Sequence, residues 1–301
     1  MSEPSPSTPT VRSGAIHDIG YRHYDGPRLG ASYIGRSLFL ETLRGAYGLG
    51  RSARSKVMPA LLLAVMVLPA VIMGIVTSYL GFDELPLNYT EYVITLQVAV
   101  TIFLASQAPA VMSRDLRFRV TALYFSRPLS RQQYVQAKLA GMTGALFVLI
   151  GLPITLLFAG ALLAKLPLGE QVPDYLRAMA GAALFALVLA SVGLVVAAMT
   201  PRRGVGVAAV VGVLLVLSGL QATVRAMADE FGSAAFSGYA GLISPYTLVD
   251  GVAASVFGGE SSIDAGPPPG GLGVTVFVAA LVLLVAGCYG MLVARYRRAL
   301  S

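Results

Sequence analysis

The sequence predicts an all-α polytopic membrane protein with six transmembrane helices, and three observations carry that expectation. Of its 301 residues, 56% are hydrophobic and only 12% are charged, whereas ordinary soluble domains carry about 25% charged residues. Six stretches are long and apolar enough to cross a hydrocarbon core that needs about 20 such residues. The Lys and Arg residues concentrate in every second connection, the pattern of loops retained on the cytoplasmic side. The net charge of +7 is therefore a topological signal, and it calls for no nucleic-acid partner.

Taken in order, residues 1–30 read as a disordered cytoplasmic arm, rich in Ser, Pro and Thr with little to bury. Its GYRHYDGPRLG stretch has turn chemistry at Asp25-Gly26-Pro27. The aromatics and His23 there either bind a partner or pack the arm on the cytoplasmic face. Residues 31–56 contain an amphipathic interfacial helix. Phe39, Leu40, Leu43, Ala46 and Tyr47 share one arc, with Ser37, Glu41 and Arg44 opposite. Gly45, Gly48 and Gly50 should fray its end.

Residues 57–298 are the six-helix membrane domain. The first span is Val57 to Leu80, with Pro59 and Pro69 as expected kink sites. The second runs from about Glu91 to Met112, the third from about Leu139 to Ala164, and the fourth from about Leu176 to Met199. Thr200-Pro201-Arg202-Arg203-Gly204 is a tight basic turn into the fifth span, Val205 to about Val224. Residues 225–271 then hold a single basic residue, Arg225. Within them GLISPYTLVDGVAASVF is half apolar but too short to span, with Ser244-Pro245 at a helix start. This is a re-entrant or interfacial helix pair, tolerated only where protein or a water-filled cavity covers its backbone. The sixth span is Leu272 to Ala294, followed by a basic tail.

With both termini in the cytoplasm, 19 of the 22 Lys and Arg fall on the inner side. Ten of the 15 acids fall outside, among them Asp229, Glu230 and Asp250, and they read as solvated loop charge. The inverted orientation reverses the basic bias at every loop. The protein is thus expected in the cell membrane as a multi-pass chain, with no visible signal peptide.

The longest charged interruption is SRDLRFRVTALYFSRPLSRQQYVQAK, residues 113–138. Leu116, Val120, Leu123 and Tyr124 recur at helical spacing. Ser126-Arg127-Pro128 stops that helix, because the residue before a proline is pushed out of the α region. A second helix from about Ser130 should run into the membrane.

An acid, a short helix, a Ser-x-Pro turn, Ser-Arg, then Tyr and Lys here read Asp115, Ser126-Arg127-Pro128, Ser130-Arg131, Tyr134 and Lys138. This run resembles the cytoplasmic loop between the second and third spans of ABC-2 type permeases, the membrane subunits of ATP-driven exporters. One departure is Arg119-Val120, where that family often has Gly-Thr. The resemblance implies a coupling helix seated on a separate ATPase, with Asp115, Leu116, Arg119, Leu123, Tyr124, Phe125, Arg127 and Pro128 as contact residues. It also implies an interfacial helix before the first span and a re-entrant element between the fifth and sixth. Two ATPase subunits, which carry the ATP, and a second permease chain, identical or different, would complete the exporter. Membrane lipids surround it.

The residues themselves narrow the chemistry. The central parts of the six spans hold no Asp, Glu, Lys, Arg or His, the usual mark of a proton or ion pathway. No lysine follows a glycine, so the phosphate-cradling Gly-Lys-Ser/Thr loop is absent and the chain should need no cofactor of its own. Two histidines and one cysteine leave no metal or Cys-His catalytic set. Polar candidates for a translocation path are Thr95, Gln97, Thr101, Ser106, Gln107 and Gln221, residues that interhelical hydrogen bonding explains equally. Small residues at four-residue spacing, Ala182-Ala186-Ala190 and Gly204-Ala208-Gly212, permit close helix approach, within one chain or across a dimer seam. A polytopic membrane enzyme and a non-transporting membrane scaffold are the alternatives to a permease.

Overall fold

The computed structural model describes residue 26 and residues 30–112, 129–200, 202–258, 261 and 270–298. Among them there are helices and no strands. In chain order these are α1 (Ala31–Ala46), α2 (Ala53–Leu80), α3 (Tyr89–Thr95), α4 (Gln97–Val111) and α5 (Arg131–Leu163). They continue as α6 (Leu168–Met199), α7 (Arg203–Glu230), α8 (Ala234–Ala240), α9 (Pro245–Phe257) and α10 (Gly271–Arg298). Five of them, α2, α5, α6, α7 and α10, are long and apolar enough to cross a membrane, and α3 with α4 makes a sixth if that bent pair is one span. This is the architecture of a multi-pass membrane protein. The segment 113–128, with every proposed ATPase-contact residue, lies outside the described residues.

The helix ends follow from local chemistry. The helix expected from about Ser130 is α5. Ser130 accepts from the Gln133 amide at 3.2 Å, and the Gln133 side chain reaches back to the Ser130 amide at 3.0 Å, a reciprocal cap. At its other end Lys165 takes a left-handed φ of 59°. Its amide bonds to the Leu162 carbonyl at 3.1 Å, and the Leu166 amide bonds to the Ala161 carbonyl at 3.1 Å, which closes the helix in a Schellman motif. Ser244 caps α9 with Pro245 in its first turn, as the sequence predicted.

Three expectations need correction. The second span is not one rod, because the chain bends by 59° between α3 and α4 at Leu96. The fourth span begins at Leu168, not near Leu176, so most of the expected loop KLPLGEQVPDY is helix and Pro173 lies inside it. The fifth extends to Glu230, which places Arg225 within α7, where it pairs with Asp229 at 3.7 Å.

Packing centres on α5 and α6, which contact each other and most of the remaining helices. Along α2 the register is parallel to α5. Gly74 backs onto Gly160, where a methyl group on Gly160 would lie 2.5 Å from the Gly74 Cα, and Ser78 donates to the Leu163 carbonyl at 3.5 Å. The apolar arc of α1 is turned onto α5. Thr42 covers Gly141, Leu43 and Phe39 cover Gly144, and the Tyr47 hydroxyl donates to the Ala145 carbonyl at 2.7 Å. Burial pushes the Tyr47 phenol well above its ordinary pKa. Leu40, read as part of that arc, stays exposed.

Candidate functional site

The bundle has two chemically different ends. At one, the Tyr134 ring of α5 meets the Tyr296 ring of α10 at 5.1 Å. Tyr296 also donates to the Met112 sulfur at 3.1 Å, and Arg295 donates to the Ala198 carbonyl at 3.3 Å. These contacts gather the end of α4, the start of α5 and the ends of α6 and α10 in one place. Arg131, Lys138, Arg202, Arg203, Arg295 and Arg297 all belong to this end. The flanks of segment 113–128, Met112 and Leu129, are buried here.

The opposite end is acidic. Tyr89 donates to Gln171 at 2.6 Å, and Tyr175 stacks on Phe158 at 4.5 Å. Asp83, Glu84, Glu91, Glu170, Asp174, Asp229 and Glu230 belong to the chain ends gathered there. Arg177 pairs with Asp174 at 2.8 Å, so both described cations of α6 and α7 on this side have acid partners. Lys138, counted with the basic loop, lies in the helix expected from Ser130, but it is buried there, only 5% exposed and 5.7 Å from the Tyr134 ring. An ammonium buried beside an aromatic face gains a cation–π attraction that partly offsets its desolvation.

A polar layer crosses the interior where the broken helix meets α9. The Thr101 hydroxyl donates to the Gln97 carbonyl at 2.8 Å and is also hydrogen-bonded to the Tyr246 hydroxyl. Tyr246, buried, packs its ring on Phe185 of α6 at 5.4 Å. Ser244, at the cap of α9, lies 3.3 Å from Ser218 of α7. Gln221 follows three residues later on the same face of α7, buried, with its amide nitrogen unpartnered among the described residues. The close fit of Gly206 on Pro109 sets α4 and α7 antiparallel, which brings Gln221 near the level of the break at Leu96.

Of the six path candidates, Gln97, Thr101 and Gln221 therefore gather at one level. Ser106 and Gln107 lie nearer the basic end and satisfy each other locally, with Gln107 donating to Ser106 at 3.1 Å and Ser106 to the Phe103 carbonyl at 2.9 Å. Thr95 is exposed at the end of α3. Sequence reasoning missed Tyr246, Ser218 and Thr247, which donates to the Gly241 carbonyl at 2.7 Å. A tyrosine beside a helix cap was the available signal, because a buried phenol needs a partner.

Asp250 is a further correction. It was read as solvated loop charge, but it is 3% exposed and accepts from Ser261 at 2.6 Å. It borders a cavity of about 30 Å³ between α3, α6 and α9, with Thr90 and Gly181 on the wall. No group of three or more metal-ligating side chains occurs among the described residues.

No family model matches this chain, and no curated protein matches it.

Proposed function

We propose that the chain is the membrane-spanning permease subunit of an ABC exporter of the ABC-2 type. It moves a substrate across the cell membrane with energy from ATP hydrolysed on a separate subunit present in two copies. A second permease chain completes the path, and the basic end of the bundle faces the cytoplasm with both termini. The inner side attracts basic residues because Lys and Arg near span ends resist translocation.

The observation that carries this reading is α5. It is a single 33-residue helix, about 50 Å long at 1.5 Å per residue, and it exceeds a hydrocarbon core of about 30 Å. It starts at the Ser130 cap directly after the basic segment and reaches the acidic end without a break. An element of that kind converts a push on segment 113–128 into displacement of the helices around it, which is what coupling to an external ATPase requires. In this reading α1 is the connecting helix, α3 and α4 form the second span, and α8 with α9 is the re-entrant pair. The packing of α9 against α6 and α10, and of α8 against α7, supplies the protein cover that such a pair needs. The polar layer at Thr101, Tyr246, Ser218 and Gln221 lies on the substrate route.

The contact with the ATPase should rest on Leu116, Leu123, Tyr124 and Phe125, with Asp115, Arg119, Arg127 and Pro128 around them. Interface centres favour aromatics and exclude charge. The test is export and ATPase rate in vesicles reconstituted with the partner ATPase. Tyr124→Ala with Phe125→Ala should leave the protein inserted but abolish both transport and the permease-dependent change in ATPase rate. Arg127→Ala should have a smaller, salt-dependent effect, since rim charges are screened. Full coupling in the double variant would reduce the segment to a topogenic loop and remove the reading.

A further inference from the structure

We propose that the groove between α5, α6 and α10 binds an anionic phospholipid of the leaflet on the basic side. The groove, of about 690 Å³, opens at the bundle surface and is lined by Gln136, Thr143 and Phe147 of α5, Ala183 and Leu187 of α6, and Tyr289 of α10. That volume is within the range of ligand sites of about 300–1,000 Å³. In a chain with five or six membrane-crossing helices this surface borders lipid, so a lipid is the molecule at hand to fill it.

The polar groups are arranged for a phosphate. Gln136 Nε2 donates to the Tyr289 hydroxyl at 3.2 Å. This leaves the Tyr289 proton and the second amide proton of Gln136 free to turn toward one acceptor. Deeper in the groove, Thr143 is an exception among the helix threonines. Thr42, Thr77, Thr101, Thr155, Thr223 and Thr275 each turn the hydroxyl back onto the carbonyl four residues earlier. Thr143 does not: its hydroxyl is buried with no partner among the described residues. The Thr143 side chain lines the groove, and a turn about χ1 brings this covered hydroxyl to a lipid ester seated there. Phe147 and Leu187 then flank the acyl chains.

The charge selects the headgroup. Neither α5 nor α10 contains an acid, and the acids of α6, Glu170 and Asp174, lie at the far end. Exposed Arg131 and Arg297 stand at the mouth's end of the bundle, where basic residues near a membrane surface favour anionic lipid.

The test is native mass spectrometry of the purified protein after exchange into micelles doped with phosphatidylglycerol or phosphatidylcholine, with the thermal midpoint read in parallel. Wild type should retain phosphatidylglycerol roughly tenfold over phosphatidylcholine, as a net 1.4 kcal/mol gives, and that lipid alone should raise the midpoint. Ala183→Phe, which fills the groove from an exposed position, should lose both lipids. Arg131→Gln with Arg297→Gln should keep lipid binding but lose the headgroup preference, because both lipids carry the phosphate that Gln136 and Tyr289 face, and this pair decides the matter if Ala183→Phe does not fold. Equal retention of the two lipids by wild type, undiminished retention by Ala183→Phe, or an unchanged headgroup preference in Arg131→Gln with Arg297→Gln overturns the proposal. So does a shift from larger to smaller assembly in Ala183→Phe, which makes the groove a seam between chains. None of these readouts involves the ATPase, so their failure leaves the permease reading standing.

Discussion

Helices α6 and α7 are neighbours in sequence, joined through a three-residue basic turn and similarly apolar, yet 72% of the most apolar stretch of α6 is buried and only 22% of that of α7. Hydropathy registers only that both prefer lipid or protein to water. What separates them is where their small residues face. In α6, Ala178, Ala182, Ala186 and Ala190 are all buried, and Gly193 sits directly under Leu104 of α4. In α7, Val213, Leu215, Val216 and Leu220 point outward, and Gly204 and Gly212 face open space. Small residues let backbones approach, and without a hydrophobic force between helices in lipid that approach is the main source of packing energy. The first small-residue repeat read from sequence thus builds the core of this chain, while the second packs on nothing among the described residues.

Enlarging both helices equally should separate them most strongly. A methyl group on Gly193 would already lie 2.5 Å from the fully buried Leu104 side chain. Gly193→Leu should therefore cost about 3 kcal/mol or more, at the upper end of overpacking. Gly212→Leu should change stability by no more than about 0.5 kcal/mol, the usual range away from packed sites. Thermal unfolding in detergent, together with the inserted yield, measures both. Equal losses would mean that α7 is covered in the assembled protein, for which a partner chain is the natural cover.

One position on α7 should behave like α6. Gly206 is buried, and a methyl group there would meet the Thr200 hydroxyl at 2.8 Å and the Pro109 ring at 3.0 Å. Pro109 cannot swing aside, so Gly206→Leu should cost about 1–3 kcal/mol. A neutral result would show that α7 hangs loosely even where it touches α4.

Much of this contrast was legible before the structure, and the part that was not has physical causes. Most span positions, the Ser130 start of α5, the end of α1 before Gly48 and the Ser244 start of α9 follow from apolar runs, caps and glycines, whereas α8 at 234–240 was not marked. The break at Leu96 carries no such mark, because Thr95-Leu96-Gln97 contains neither Gly nor Pro. The early start of α6 is a second case, because Pro173 lies inside the helix without ending it. It sits in the second turn of α6, where the proline forgoes one hydrogen bond, to the Gly169 carbonyl, and the remaining turns of a 32-residue helix carry on past it. Asp250 was taken for solvent-facing because a carboxylate in a loop-like stretch usually is. Its burial depends on α9 docking against α6, a tertiary event that local pattern does not encode.

Helix α9 lies between the two unequal helices and gives a smaller test. Tyr246 leans on Phe185 of α6, while the neighbouring cap, Ser244, reaches Ser218 of α7. Tyr246→Phe keeps the ring contact and removes the hydroxyl from Thr101, which still has the Gln97 carbonyl. Stability should fall by about 1 kcal/mol, the usual net worth of one hydrogen bond. Ser218→Ala should do less, since that pair is longer, 3.3 Å. If Tyr246→Phe abolishes transport without this loss, the hydroxyl serves the substrate and not the wedge.

The smallest expected effect lies at the two lead-in turns. The turn into α7 has extended backbone at Arg202, but the turn into α6 requires Lys165 at φ 59°. A side chain in that left-handed region is disfavoured by about 1–2 kcal/mol, whereas Gly adopts it without the steric cost. The Schellman bonds from the Lys165 and Leu166 amides are made by backbone, so they survive the change. Lys165→Gly loses a flexible side chain at the acidic end and regains some backbone entropy in the unfolded chain, which takes back part of the gain. The net outcome should be a stabilisation of about 0.5–1 kcal/mol, read as a modest rise in the thermal midpoint. Arg202→Gly should lower the midpoint, because an extended residue gains nothing from Gly and pays its entropy in full. If Lys165→Gly is instead destabilising, the ammonium group is held by the acids at that end, and charge, not backbone geometry, fixes how α6 enters the core.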